Sequence, residues 1–231
     1  MGYYPVLLDL NGRRVVVVGG GRVAARKVAS LVEAGARVRV VSLALAPETE
    51  AVCRRSGVEV LLRAFEAGDL DGAWLVVCAT DNEGVNREVA GAAEAAGVFV
   101  NVVDVPPLCS FIVPASVTRG DLTVAVSTGG ASPAAARRLR QRLQREFGPE
   151  WGPYLRLLRA ARARLTSLGR PAAQNRDLFY ALVDSELFDL VRAGDAEGVE
   201  RILARQLGDG FSLADLGLGP ADLWAGREED A

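Results

Sequence analysis

Histidine is absent from this chain, and 26 of its 27 basic residues are arginine, Lys27 being the exception. The missing imidazole removes the commonest borderline metal ligand, and no metal site is expected. Cysteine is scarce too. Cys53, Cys78 and Cys109 are odd in number, far apart and form no CxxC pair, which excludes a disulfide framework and a zinc knuckle. Cys78 lies inside an apolar run and reads as a small buried hydrophobe. Unpaired thiols of this kind fit a reducing cytoplasm. No stretch approaches the ~18 consecutive apolar residues of a membrane span. The first apolar run, Val15 to Val18, is too short for a signal-peptide core and follows two arginines. Position 6 is Val6, where N-myristoylation requires Ser or Thr. The expectation is a cytoplasmic protein with no membrane and no nucleic-acid partner. There is no internal repeat and no low-complexity tract.

Half of the 231 residues are hydrophobic, enough for one large domain or two modest ones without disulfide or metal support. Charge is unevenly spread. Residues 1–113 carry 11 basic and 13 acidic groups, residues 114–170 carry 11 and 3, and residues 171–231 carry 5 and 13. The middle segment is therefore at +8. Arginine grips carboxylate or phosphate through two parallel hydrogen bonds, so this segment suits a polyanionic ligand; a solvated helix face is the alternative.

Over the first hundred residues strand and helix patterns alternate. Arg14–Gly19, 37–42, 58–62, 74–79 and 98–103 read as strands, and 23–34, 47–55 and 85–96 as helices stopped by Gly35, Ser56-Gly57 and Gly97. Strands joined through helices imply right-handed crossovers and a parallel sheet, an α/β doubly wound nucleotide-binding domain. The alternation ends near Pro106-Pro107. Two strands, 110–116 and 122–127, follow around the turn Arg119-Gly120-Asp121. A helix then starts at Ser132-Pro133, with apolar positions 136, 139, 143 and 147 on one face and arginines on the rest. Helices at about 150–168, 174–193 and 196–206 complete the pattern, and the Gly- and Asp-rich tail after Gly208 reads as loosely held.

Three places carry chemistry. Gly19-Gly20-Gly21-Arg22-Val23-Ala24 is the GxGxxA form of the dinucleotide fingerprint. Gly19 permits the tight turn, Gly21 lets the backbone approach a pyrophosphate, and Ala24 allows close helix–strand packing. The second strand ends at Ser42 without Asp or Glu for a ribose, and without Arg for a 2′-phosphate, which favours NAD over NADP. Thr80-Asp81-Asn82 ends the fourth strand and Asn101-Val102-Val103-Asp104 the fifth. Ligands of open parallel sheets bind beyond these carboxyl ends, so Asp104 is aimed at the cofactor crevice and is a candidate base. A loop or cap role ahead of the prolines is the alternative. Finally, Ser127-Thr128-Gly129-Gly130-Ala131-Ser132-Pro133 is a second glycine-rich loop leading into the arginine helix. It is an anion site or a plain capped turn.

Four ordered stretches, VVVVGGGRVAARKVASLVEAGA, ATDNEGVN, NVVDVPPLCSFIVPA and VAVSTGGASPAAARRLR, resemble the precorrin-2 dehydrogenase/sirohydrochlorin ferrochelatase family. This is the dehydrogenase module of siroheme synthase, which also occurs free-standing. The resemblance covers about residues 3–147. It implies a Rossmann domain at 1–113, a dimerisation segment at 114–149, a helical C-terminal domain at 150–208 and a tail at 209–231, in an intertwined homodimer. It implies NAD-dependent oxidation of precorrin-2 to sirohydrochlorin. Arg22, Val23, Leu43 and Ala44 fall at the family's NAD-contacting positions, beside Gly19, Gly21, Ser42 and Thr80 from the motif reading. Asp104 falls at its proposed catalytic aspartate. Thr128 takes a position where some relatives carry a regulatory serine, with Ser127 adjoining. The implied substrate has eight carboxylate side chains, matching the +8 segment, with Ser127, Thr128, Gly129, Arg137, Arg138 and Arg140 as candidate contacts. Two other readings remain open: a bifunctional enzyme that also inserts Fe²⁺, and a non-catalytic NAD- or metabolite-binding protein on the same fold.

Overall fold

The computed structural model describes residues 2–224, and the chain divides between Val113 and Pro114 into two compact units. Among the described residues no helix is long and apolar enough to cross a membrane.

The first unit is built on five strands: β1 (Arg14–Val18), β2 (Arg37–Val41), β3 (Glu59–Leu61), β4 (Leu75–Cys78) and β5 (Phe99–Val102). All pair in parallel in the order β3-β2-β1-β4-β5. Helices α1 (Arg22–Glu33), α2 (Pro47–Arg55) and α3 (Glu83–Ala96) cover its faces. Val15, Val16 and Val17 are wholly buried because β1 is central and helices pack on both sides. Odd positions Val15 and Val17 face one core with Val28 of α1, while Val16 and Val18 face another with Val89 of α3. The chain reverses between β1 and β4, so the crevice beyond their carboxyl ends is the topological switch point.

After β3, Arg63 donates two hydrogen bonds to Asp69, at 2.9 and 2.6 Å. Asp69 is almost fully buried, and Arg63 holds its carboxyl below the usual range against the opposing effect of burial. A depressed carboxylate contributes stability above its unfolded pKa of about 3.9, lost as pH falls through the folded value. Asp69→Asn should therefore lower the Tm at pH 7. The gap to wild type should narrow below about pH 4, as thermal melts across pH will show.

The second unit holds the antiparallel pair β6 (Ala115–Arg119) and β7 (Leu122–Val126), then helices α4 (Pro133–Glu146), α5 (Trp151–Ser167), α6 (Ala172–Val183), α7 (Leu187–Ala193), α8 (Ala196–Leu207) and α9 (Pro220–Trp224). Tyr154, Leu157, Leu165, Leu182, Val191 and Leu203 center its core. Three expectations need correction. The strand expected at 110–116 starts only at Ala115, because the backbone N–H and hydroxyl of Ser110 bond the Val100 carbonyl and hold that stretch against β5. The helix expected at 174–193 is two. Ser185 interrupts it, its hydroxyl donating to the Leu182 carbonyl at 2.6 Å and accepting from the Leu187 N–H. The tail after Gly208 is not loosely held through Trp224. Phe211, Leu213 and Leu223 are buried, and Leu213 N–H donates to Glu200. The part of that tail at 225–231 lies outside the described residues.

Candidate active site

The turn from β1 into α1 is set by its first two glycines. Gly19 has φ +116° and donates its N–H to the Val41 carbonyl; a Cβ there would strike the Ala79 carbonyl. Gly20 is buried, its carbonyl accepts from Ala46 N–H at 2.8 Å, and a Cβ would collide with the Ala44 carbonyl. Gly21 differs. It is exposed, its backbone is extended, and nothing lies within 4 Å of where its Cβ would stand. As the N-cap of α1 it supplies no side-chain cap, and the first turn has no acidic residue. The amides at the start of α1 thus face open space with the helix dipole behind them, which fits a pyrophosphate. Thr49, fully buried on α2, donates its hydroxyl to the Gly21 carbonyl at 3.0 Å and fixes the loop. Sequence reasoning missed Thr49 and the constraint on Gly20, since both depend on partners more than twenty residues away.

The other cofactor candidates sit around this loop, at the carboxyl ends of the neighbouring strands. Ser42 donates its hydroxyl to the Ala44 carbonyl at 2.8 Å, shaping the turn after β2, and Leu43 and Ala44 are exposed there. Thr80 accepts from Asn82 N–H, and Asn82 caps α3 through Val85 N–H. Val23 is half-buried on α1. The Arg22 side chain pairs with Glu48 at 2.7 Å, so what it offers the crevice directly is its backbone N–H.

Asp104 has φ +60°, the one non-glycine with positive φ among the described residues. Such a conformation costs on the order of 1 kcal/mol and persists only where its surroundings impose it. Those surroundings are visible. Val103 N–H donates to the Cys78 carbonyl and Val105 N–H to the Val102 carbonyl. The Cys109 thiol accepts from Val102 N–H and donates to the Val102 and Val105 carbonyls. Asn101, buried on β5, donates to the Phe111 carbonyl. The carboxylate itself is exposed, and no described residue makes a hydrogen bond or ion pair with it. It does not cap the 3-10 turn Pro106–Leu108. Burial meanwhile pushes the Cys78 thiol up to about 12, which makes it an inert core residue.

In the second unit, Gly129 and Gly130 take positive φ and the loop closes on itself. Ser127 accepts from Gly129 N–H, the Thr128 hydroxyl accepts from Ser132 N–H, and Ser132 caps α4 through Ala135 N–H. These hydroxyls shape the loop. Arg137, Arg138 and Arg140 follow on α4 and form no ion pair with a described carboxylate. Arg119 instead donates to the Phe147 carbonyl near the end of α4, and Arg159 pairs with Asp121. Among the described residues no cluster of three or more His, Cys, Asp or Glu is placed to hold a metal ion.

A 3-2-1-4-5 parallel sheet with a glycine turn into an uncapped helix defines a dinucleotide-binding protein of the Rossmann class. Residues 6–115 match the family model described as putative NAD(P)-binding, and residues 119–146 that of the sirohaem biosynthesis protein central segment. Siroheme synthase of Pseudomonas paraeruginosa (strain DSM 24068 / PA7) is 39% identical over 228 residues, covering 96% of this chain and 49% of that protein. Siroheme synthase of Thioalkalivibrio sulfidiphilus (strain HL-EbGR7) is 38% identical over 229 residues, covering 96% and 47%. The chain spans about half the length of the curated relatives it matches. Among solved structures, SirC, precorrin-2 dehydrogenase, superposes with a TM-score of 0.71 at 27% identity, over 87% of this chain and 98% of that one. The chain thus resembles siroheme synthases over about half of their length, and SirC, precorrin-2 dehydrogenase, over nearly all of that chain.

Proposed function

We propose that this chain oxidises precorrin-2 to sirohydrochlorin with NAD as acceptor, as a homodimer in the cytoplasm. The observation that carries this is Asp104: an exposed carboxylate without hydrogen bond or ion pair to a described residue, held in a strained conformation at the switch-point end of β5. The likeness to SirC, precorrin-2 dehydrogenase, over 98% of that chain supports the reading. When bound, NAD supplies the hydride acceptor. Gly19, Gly21 and the amides of Arg22 and Val23 hold its pyrophosphate, with Ser42, Leu43, Ala44 and Thr80 along the crevice. Asp104 accepts the proton that leaves the substrate carbon as the hydride departs. The chain's contribution is orientation and a base of the right charge.

Residues 1–113 serve as the NAD-binding part, 114–149 as a dimerisation segment and 150–208 as a helical domain. Dimerisation is supported by α4, a strongly amphipathic helix with no buried residue and Leu139 exposed, and by a two-stranded sheet whose outer edges are unpaired. Ser127, Thr128 and Gly129 with Arg137, Arg138 and Arg140 form the proposed carboxylate-binding segment. Replacing the three arginines together by Gln should raise KM for precorrin-2 and flatten its dependence on salt, leaving NAD affinity unchanged. A wild-type KM would assign their charge to another task.

Purified protein mixed with precorrin-2 and NAD tests the assignment: the sirohydrochlorin spectrum should grow only with NAD present. Repeating it with Fe²⁺ reads chelation separately. NAD binding without any turnover would make the chain a binding protein.

A further inference from the structure

β5 is an edge strand, and past Asp104 the chain returns along its open side, where side chains do the pairing that a further strand would do. The Ser110 hydroxyl accepts from Val100 N–H at 2.8 Å, and Ser110 N–H donates to the Val100 carbonyl at 2.9 Å. Two residues further along the edge the partner is a sulfur. Cys109 Sγ accepts from Val102 N–H at 3.2 Å, and its one proton is shared between the carbonyls of Val102 at 3.2 Å and Val105 at 3.4 Å. Asn101, buried on β5, braces the returning segment. Its side-chain amide donates to the Phe111 carbonyl at 3.0 Å and to the Cys109 sulfur at 3.7 Å.

Val102 and Val105 are the two feet of the turn that carries Asp104. Inside the turn a single hydrogen bond joins them, from Val105 N–H to the Val102 carbonyl at 3.2 Å. Asp104 is the third residue of this turn, and its φ of +60° is a conformation that favours glycine or asparagine at that place. The sulfur touches both feet from outside. Without it, the one internal bond is left to hold a left-handed aspartate, and relaxation to negative φ would swing the carboxylate away from the crevice.

We propose that Cys109, braced by Asn101, is a positioning residue for Asp104: its thiol bridges both feet of the turn and so keeps the carboxylate at the crevice with its lone pairs free. This rests on Asp104 being the base. Sulfur suits the task because its hydrogen bonds run long. Three backbone groups at 3.2 to 3.4 Å are within reach of one Sγ, whereas a hydroxyl oxygen bonds best at about 2.7–2.8 Å and cannot serve all three as well.

Steady-state kinetics at saturating NAD, well below the Tm, and ligand-free crystal structures of the variants test the proposal. Cys109→Ala should lower kcat about tenfold with KM for precorrin-2 and NAD affinity near wild type, since a displaced catalytic group slows the chemical step. Its structure should show Asp104 at negative φ. Cys109→Ser keeps a donor and an acceptor, should recover most of the rate, and carries the test if the alanine variant does not fold. Asn101→Leu removes the brace and should lower kcat in the same direction. In the Asp104→Asn background, Cys109→Ala should cost no further rate. An equal loss there would show the thiol acting elsewhere and overturn the proposal. So would a Cys109→Ala variant with lowered Tm and wild-type kcat, or one that keeps Asp104 at positive φ. A fully active Asp104→Asn would overturn it from beneath, because the base assignment itself would have failed.

Discussion

Asp104→Asn should lower kcat for sirohydrochlorin formation by at least ~100-fold, at the low end of what a positioned general base contributes. The variant removes the charge and the basic lone pair and little else. Asparagine is, after glycine, among the residues most at ease in the left-handed region, so the φ of +60° is not a new burden. No hydrogen bond or ion pair to a described residue is lost. The Tm should therefore stay near wild type, and so should NAD affinity, since in the proposed site the glycine loop carries the pyrophosphate. Asp104→Gly provides the complementary control. It relieves the backbone and should not lower the Tm, yet it should lose activity just as far. Near-normal turnover in the Asn variant would show Asp104 to be a loop residue, with the proton leaving to water or to a substrate carboxylate.

Gly21→Val should weaken NAD binding tenfold or more, about 1.4 kcal/mol, with the fold intact. The structure separates this glycine from its neighbours. A side chain at Gly21 enters open space and its backbone is extended, which any residue adopts. The loss on binding then reports the ligand alone. Gly20→Ala is the opposite case, because its Cβ meets the Ala44 carbonyl and the turn must move. It should lower the Tm whether or not NAD is present. Calorimetry with NAD and thermal melts without it distinguish the two, and an unchanged dissociation constant in Gly21→Val would remove this loop from the cofactor site.

The first unit was legible because its signals are local. Four consecutive valines ending in glycines read as a strand buried on both faces, and Gly35 and Gly97 mark helix ends that the structure reproduces. What stayed hidden depends on distant partners. Phe111-Ile112-Val113 has a strand's composition, but Asn101 and the Ser110 hydroxyl tie that segment to β5, leaving β6 to start at Ala115. The tail after Gly208 looks solvent-loving, yet three apolar residues spaced along it, Phe211, Leu213 and Leu223, anchor it to the helical core. At the site, residue types were readable and their conformations were not. Nothing local announces that Asp104 is left-handed, since the cause is the Cys109 and Asn101 network behind it. Likewise Thr49 holds the glycine loop from another helix.

The most direct test of the proposed function is product stoichiometry in an anaerobic mixture of the protein, precorrin-2 and NAD. One NADH should form for each sirohydrochlorin, with neither formed when NAD is withheld or when Asp104→Asn replaces the wild type. Sirohydrochlorin appearing at the same rate without NAD, or no NADH despite measured NAD binding, would contradict the assignment.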